Sequence, residues 1–286
     1  MLLRLSRAVL LAVFPAELLL AVLLVSGVRM PGPVAVLAES AVAAVLLLEL
    51  ATAWRLFTAS RRLGADRRAA LRTCVRQLVP VQVRRITSFE LRGLGALLLW
   101  PTGRRNGVPP GATDVPYAKE QFSTLLALAS VMAVEAVAVE VLLQKLDAPA
   151  GLRAVFLVLD GYSLLAVLAV LAARVTRPHV VSAGELRVRS GAFFDLRIPR
   201  RLIASVRTSR HYDERGLVTV EDGWCAVPVS SQTNVTVELT EPVTVVRPLG
   251  SRTKATAVRF FADDPGSAVE ALRRSPDRPG TSARSA

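Results

Sequence analysis

The sequence predicts a bundle of four membrane-spanning helices followed by a small all-β barrel or paired-sheet module with a C-terminal helix. Three observations carry this. The long apolar runs all lie in the first 174 residues, whereas the remainder is richer in charge and alternates with period two. Between Thr58 and Glu120, twelve Lys and Arg residues stand against four Asp and Glu. Such an excess keeps a loop on the cytoplasmic side.

A helix needs roughly 20 apolar residues to cross a hydrocarbon core of about 30 Å. Arg4 and Arg7 precede a first run from Ala8 to Val28. A cleaved signal has an apolar core of only about 7–15 residues. This run is longer, contains Pro15 and Glu17, and leads into a second apolar segment, so it reads as an uncleaved first span. Met30 to Pro33 form the break. The second span runs from about Pro33 to Phe57, with Trp54 and Arg55 at the interface. Residues 1–57 are therefore a first transmembrane hairpin.

Residues 58–121 form a basic amphipathic loop on the cytoplasmic side. Asp66 can cap a helix over 67–79, where Leu71, Val75 and Leu78 recur at helical spacing. A second segment, Val83 to Trp100, is too short to span. The basic residues here are Arg61, Arg62, Arg67, Arg68, Arg72, Arg76, Arg84 and Arg85. Such segments lie in the headgroup plane or cover the cytoplasmic end of a bundle. The stretch NGVPPGATDVPY reads as a linker.

The second hairpin occupies residues 122–174. A third span, about 122–143, goes outward; the QKLDAPAG turn follows, and a fourth span, about 152–174, returns. Arg174 and Arg177 mark the exit and Pro178 ends the helix. Four spans with both termini in the cytoplasm satisfy every loop-charge constraint.

From 178 to 274 the pattern is of strands. HVVSA, ELRVRS, AFFDLRIP, RLIASVRT, GLVTVE, GWCAVPV, NVTVELT, PVTVVRP and TAVRFFAD are short β-rich runs separated by turn residues. Asp263 and Asp264 then introduce Pro265, which suits a first helical turn, and SAVEALRR completes a terminal helix. The tail, residues 275–286, has no apolar residues to pack and is expected to be disordered.

The formal charge of +13 points to a membrane surface rather than nucleic acid, because the excess is concentrated in a loop between apolar spans. The 33 Arg against three Lys fit the coding bias of a GC-rich bacterial genome. Two cysteines, Cys74 and Cys225, make no disulfide framework or paired zinc motif. With only His179 and His211, a His-rich metal site is excluded. No phosphate-binding glycine loop is present. Neither histidine is placed beside a nucleophile, and Cys225 reads as a small core residue.

Six acidic residues fall inside the predicted spans: Glu17, Glu39, Glu49, Glu135, Glu140 and Asp160. Counted inward at 1.5 Å per residue, Glu39, Glu135 and Asp160 share a level about 9–12 Å from the outer ends, with Glu17 slightly deeper. Tyr162 can donate a hydrogen bond near this layer. Glu17, Glu39, Glu135, Asp160 and Tyr162 are thus a candidate intramembrane polar or ion site. Three uses stand open: interhelical hydrogen bonding, a proton or cation path, or a metal centre. No cofactor is predicted. If a metal binds the layer, carboxylates alone suit a hard divalent cation such as Mg2+, Mn2+ or Ca2+.

Three segments, GELRVRSG (Gly184 to Gly191), DLRIPRRLIASVR (Asp195 to Arg207) and DDPGSAVEALRR (Asp263 to Arg274), resemble bacterial PH-like domains attached to membrane helices. The whole chain looks like a group of uncharacterised four-span bacterial membrane proteins with a cytoplasmic strand domain. The resemblance implies a PH-like barrel or sandwich and no particular reaction. PH-like folds elsewhere bind lipid headgroups, peptides or their own neighbours. The expected function is therefore a non-enzymatic scaffold or sensor in the bacterial cytoplasmic membrane. Its PH-like domain would bind a protein partner, a second copy, its own basic loop or lipid headgroups, and no nucleic acid. The alternative is a small proton- or cation-coupled transporter using the carboxylate layer; a metal-dependent intramembrane enzyme comes third.

Overall fold

The computed structural model describes residues 66–79 and 81–274, together with Ser40, Leu47, residues 50–55, 57–59 and 61–62, and Gly64. The first span, Glu17, Glu39 and most of the second span lie outside the described residues, as does the tail from 275. The chain divides into two compact units. One is Met1–Arg84 with Met132–Ser163, the other Arg85–Val131 with Leu164–Ala286.

The first unit contains helix α1 (Arg67–Leu78). Asp66 occupies its N-cap position in extended backbone, but its side chain accepts no capping hydrogen bond. The expected cap is thus absent, and the Asp66 carboxylate faces water instead. Two long helices follow later in the chain, α3 (Lys119–Lys145) and α4 (Ala150–Thr176). Both are long and apolar enough to cross a membrane, and they are the two such helices among the described residues. Only 6% of the apolar window of α3 and 11% of that of α4 is buried, far less than in the core helix of a soluble protein. Within this unit Glu140 accepts hydrogen bonds from Gln144 at 2.9 Å and from Arg153.

The second unit holds helix α2 (Val81–Leu99) from Arg85 onward and two sheets. The first sheet has the order β1-β2-β3-β4, formed by β1 (Thr113–Val115), β2 (His179–Val181), β3 (Glu185–Ser190) and β4 (Phe194–Pro199). All three of its pairings are antiparallel. The segment expected to be a linker therefore supplies an edge strand, Thr113 pairing with Val181 and Val115 with His179. Pro109, Pro110, Gly111 and Pro116 flank β1 closely, so only three residues are free to adopt strand geometry.

The second sheet comprises β5 (Ile203–His211), β6 (Thr219–Glu221), β7 (Trp224–Val227), β8 (Thr233–Val246) and β9 (Arg252–Phe260), in the order β5-β8-β9-β7-β6. Asp222 and Gly223, both at positive φ, form the two-residue turn between β6 and β7. NVTVELT and PVTVVRP, expected as separate strands, form the single strand β8. Its register shifts between Glu238 and Val243, where Pro242 cannot donate to the ladder.

The inner faces of both sheets share one core. Leu186, Val188 and Ile198 meet Val235, Val237, Val258 and Phe260 there, all 0–1% exposed. Helix α5 (Pro265–Arg273) adds Ala268, Val269, Ala271 and Leu272 to the same core. Its start is as the sequence predicts: Pro265 opens the first turn and Asp264 accepts from the Ser267 N–H at 3.1 Å. Its end is closed by Arg200, whose guanidinium donates to the carbonyls of Leu272 and Arg274.

Candidate functional site

The site is built where α4 becomes a strand. Pro178 cannot continue the helix, and His179 opens β2 three residues after α4 ends at Thr176. The terminal carbonyl of Thr176 accepts the Asn106 N–H at 2.7 Å, so the segment after α2 caps the helix.

His179 is 1% exposed and both its ring nitrogens are engaged. Nε2 donates to the Phe261 carbonyl at 2.9 Å and Nδ1 accepts the Arg189 N–H at 2.9 Å. This pair of bonds requires the neutral Nε2–H tautomer. The ring stacks on Tyr117, with centroids 4.4 Å apart, and meets Phe260 edge-on. Burial pushes the His179 pKa down to about 3. Tyr117, raised by burial, accepts the Gly191 N–H at 2.7 Å. His179 is therefore a keystone joining β2, β3 and the end of β9.

Beside it lies a knot of arginines. Arg189 on β3 is 1% exposed and donates to the carbonyls of Asn106 at 2.8 Å and Gly107 at 3.1 Å. Across the ladder its register partner is Asp195. Arg187 grips Asp195 with two bonds, at 2.7 and 2.5 Å. Arg177 and Arg189 reach the same carboxylate at 3.5 and 3.7 Å. Burial raises the Asp195 pKa, but the hydrogen bond and charge of Arg187, with the charges of Arg189 and Arg177, hold it below the usual carboxylate range. Arg189 is pushed down to about 10, first by burial and then by the Arg187 charge.

Helix α2 closes one side. Gly93 and Ala96 are buried, and a Cβ on Gly93 would lie 3.2 Å from that of Ala169. Ala96 packs with Ala172, Ala173 and Ala192. Arg92 donates to the Ala192 carbonyl at 3.3 Å, Phe89 meets Phe193 edge-on at 5.4 Å, and Arg85 donates to the carbonyls of Arg247 and Pro248 at 3.2 Å. The opposite face of α2 presents Leu91, Leu94 and Leu98 outward, Leu98 being 81% exposed.

The residues expected from the sequence are different ones. Glu135 and Tyr162 are exposed and Asp160 is half-buried, while Glu17 and Glu39 lie outside the described residues. Among the described residues no group of three or more His, Cys, Asp or Glu is placed to hold a metal. Of the basic set, Arg61, Arg62, Arg67 and Arg68 are exposed and Arg84 is half-buried; Arg72 and Arg76 are helical. Arg85 serves protein docking, as given above. Sequence reasoning marked Arg174 and Arg177 only as topological signals and missed Tyr117, Arg187, Arg189 and Asp195. The available signal was ELRVRS followed by FFD, which puts two arginines on one strand face opposite an aspartate across a hairpin. Comparison with protein families, with curated proteins and with solved structures gives no match to this chain.

Proposed function

We propose that this chain is a multi-pass protein of a bacterial cytoplasmic membrane, with four spans and both termini in the cytoplasm, that acts as a non-enzymatic scaffold or sensor. Its strand module, which resembles PH-like domains in its motifs, binds a protein partner, a second copy or lipid headgroups. The observation that carries this reading is the direct fastening of the module to the end of an apolar helix, where Ala172 and Ala173 pack on Ala192 and Arg177, just past the helix end, reaches Asp195. A module attached in this way takes its orientation from the helix, as a membrane-surface scaffold requires. Groups with chemical potential support binding over reaction. His179 has both nitrogens occupied, and burial pushes the Cys225 thiol up to about 12.

The test uses the full chain in its native membrane, with photo-crosslinking side chains at exposed Tyr212 and Leu249. A defined protein, second copy or lipid should be captured, and the capture should be lost in Asp195→Asn. Proton or cation flux in proteoliposomes that is abolished by Glu39→Gln, Glu135→Gln or Asp160→Asn would replace this reading with the transporter alternative.

A further inference from the structure

The arginine knot is over-supplied with positive charge. Three guanidinium groups, those of Arg177, Arg187 and Arg189, share the one carboxylate of Asp195. Two more arginines are near: the Arg92 charge acts on Arg177, and the Arg174 stem lies beside Gly191, whose N–H donates to the Tyr117 hydroxyl. Three cations share the Asp195 carboxylate, with Glu185 acting on Arg187 and the Arg92 charge on Arg177, so positive charge stays in excess in a partly buried site unless further negative charge enters.

The hydrogen-bond inventory points the same way. Nη1 of Arg174 and Nε of Arg177 are buried and have no acceptor. Arg177 as a whole is only 9% exposed. A buried N–H on a cation without an acceptor is costly, and native proteins normally give it a partner. Arg189 Nε, also without a hydrogen bond, has Asp195 at 3.7 Å, so the deficit lies mainly on the Arg174 and Arg177 side.

We propose that Arg174 and Arg177, with Arg92 beside them, bind a phosphate-type oxyanion at the end of α4. A tetrahedral group with several oxygens accepts from guanidinium groups arriving in different directions, and its charge offsets the excess. Two sources share this chemistry, an inner-leaflet phospholipid headgroup and free phosphate. The lipid source rests on the reading that α4 crosses the membrane. Arg153 and Arg174 bracket an apolar run of about 31 Å at 1.5 Å per residue, which brings Arg174 to the headgroup layer. Basic pockets at that depth bind anionic headgroups.

The experiment uses the full chain purified in detergent. Native mass spectrometry measures retention of phosphatidylglycerol against phosphatidylcholine. In parallel, thermal melts compare sodium phosphate with sodium chloride at equal ionic strength. Arg174→Gln is the informative variant because Nη1 of Arg174 has no protein acceptor to lose; near-ultraviolet circular dichroism checks its fold. Preferential retention of phosphatidylglycerol that falls about tenfold in Arg174→Gln and recovers in Arg174→Lys supports the lipid source. Stabilisation by free phosphate alone, lost in Arg174→Gln, supports the second source. If neither phosphatidylglycerol nor phosphate distinguishes the wild-type chain from Arg174→Gln, the proposal is overturned. Membrane fractionation separates the two readings: a chain released without detergent refutes the membrane placement, whereas a membrane-embedded chain indifferent to phosphate refutes only this site.

Discussion

His179 engages one backbone donor and one backbone acceptor with opposite ring nitrogens, so only its neutral form fits. With an ordinary pKa near 6.5 when unfolded and about 3 in the fold, the unfolded chain binds one more proton between those values. Stability is therefore full above about pH 6.5 and falls as the pH drops toward 3, by about 1.4 kcal/mol per pH unit at most. Thermal melts of the detergent-solubilised chain should show this slope. His179→Phe should flatten it while lowering stability at neutral pH, because it leaves the Arg189 N–H and the Phe261 carbonyl without side-chain partners. At Asp195 the substitution to Asn removes the charge that three arginines share, and should cost about 3 kcal/mol in denaturant titration. Gly107 has φ +69°, and a Cβ there would stand 2.7 Å from Nη2 of Arg189. Gly107→Ala should lower the melting temperature measurably, at about 1–2 kcal/mol from the backbone conformation alone.

At the scale of elements, α2 is the piece whose role the structure defines most sharply. Its small face fits against the end of α4 and the β3–β4 turn, and its leucine face points outward. Gly93→Val would insert a branched side chain where a single Cβ already meets Ala169 at 3.2 Å. This change should loosen α2 at a cost of about 1–3 kcal/mol, read as faster amide exchange in residues 89–97. The segment read from the sequence as a headgroup helix or a bundle cover packs its small residues on Ala169, Ala172, Ala173 and Ala192 and leaves its leucines exposed. Helical periodicity located α1, the length of the apolar runs located α3 and α4, and period two located β2 to β9. These signals are local and survive without tertiary context. What periodicity could not reveal was the three-residue strand β1, whose pairing with β2 depends on residues 64 to 68 positions away. Nor could it join the two halves of β8 across Pro242, because a bulge and a strand break look alike in sequence.

At the scale of the whole molecule, the strand module, α2 from Arg85 onward and the end of α4 form one folded unit, held by polar contacts as well as small-residue packing. The sequence divided these residues among a basic loop, a linker, a span and a separate domain, because such contacts join positions far apart in the chain. Asn106 reaches Thr176, Tyr117 reaches Gly191, and His179 reaches Phe261. The carboxylates drew attention in the sequence because a charge in an apolar run is conspicuous, whereas an arginine in a strand looks like an ordinary solvent-facing residue. Hydrogen exchange on the full chain in detergent tests this unity most directly. The amides of Asn106, Arg189 and Gly191 bond to Thr176, His179 and Tyr117, respectively. They should exchange slowly in the wild type and lose protection together in Asp195→Asn. Fast exchange at Asn106 in the wild type, or loss at Arg189 alone in the variant, would contradict it.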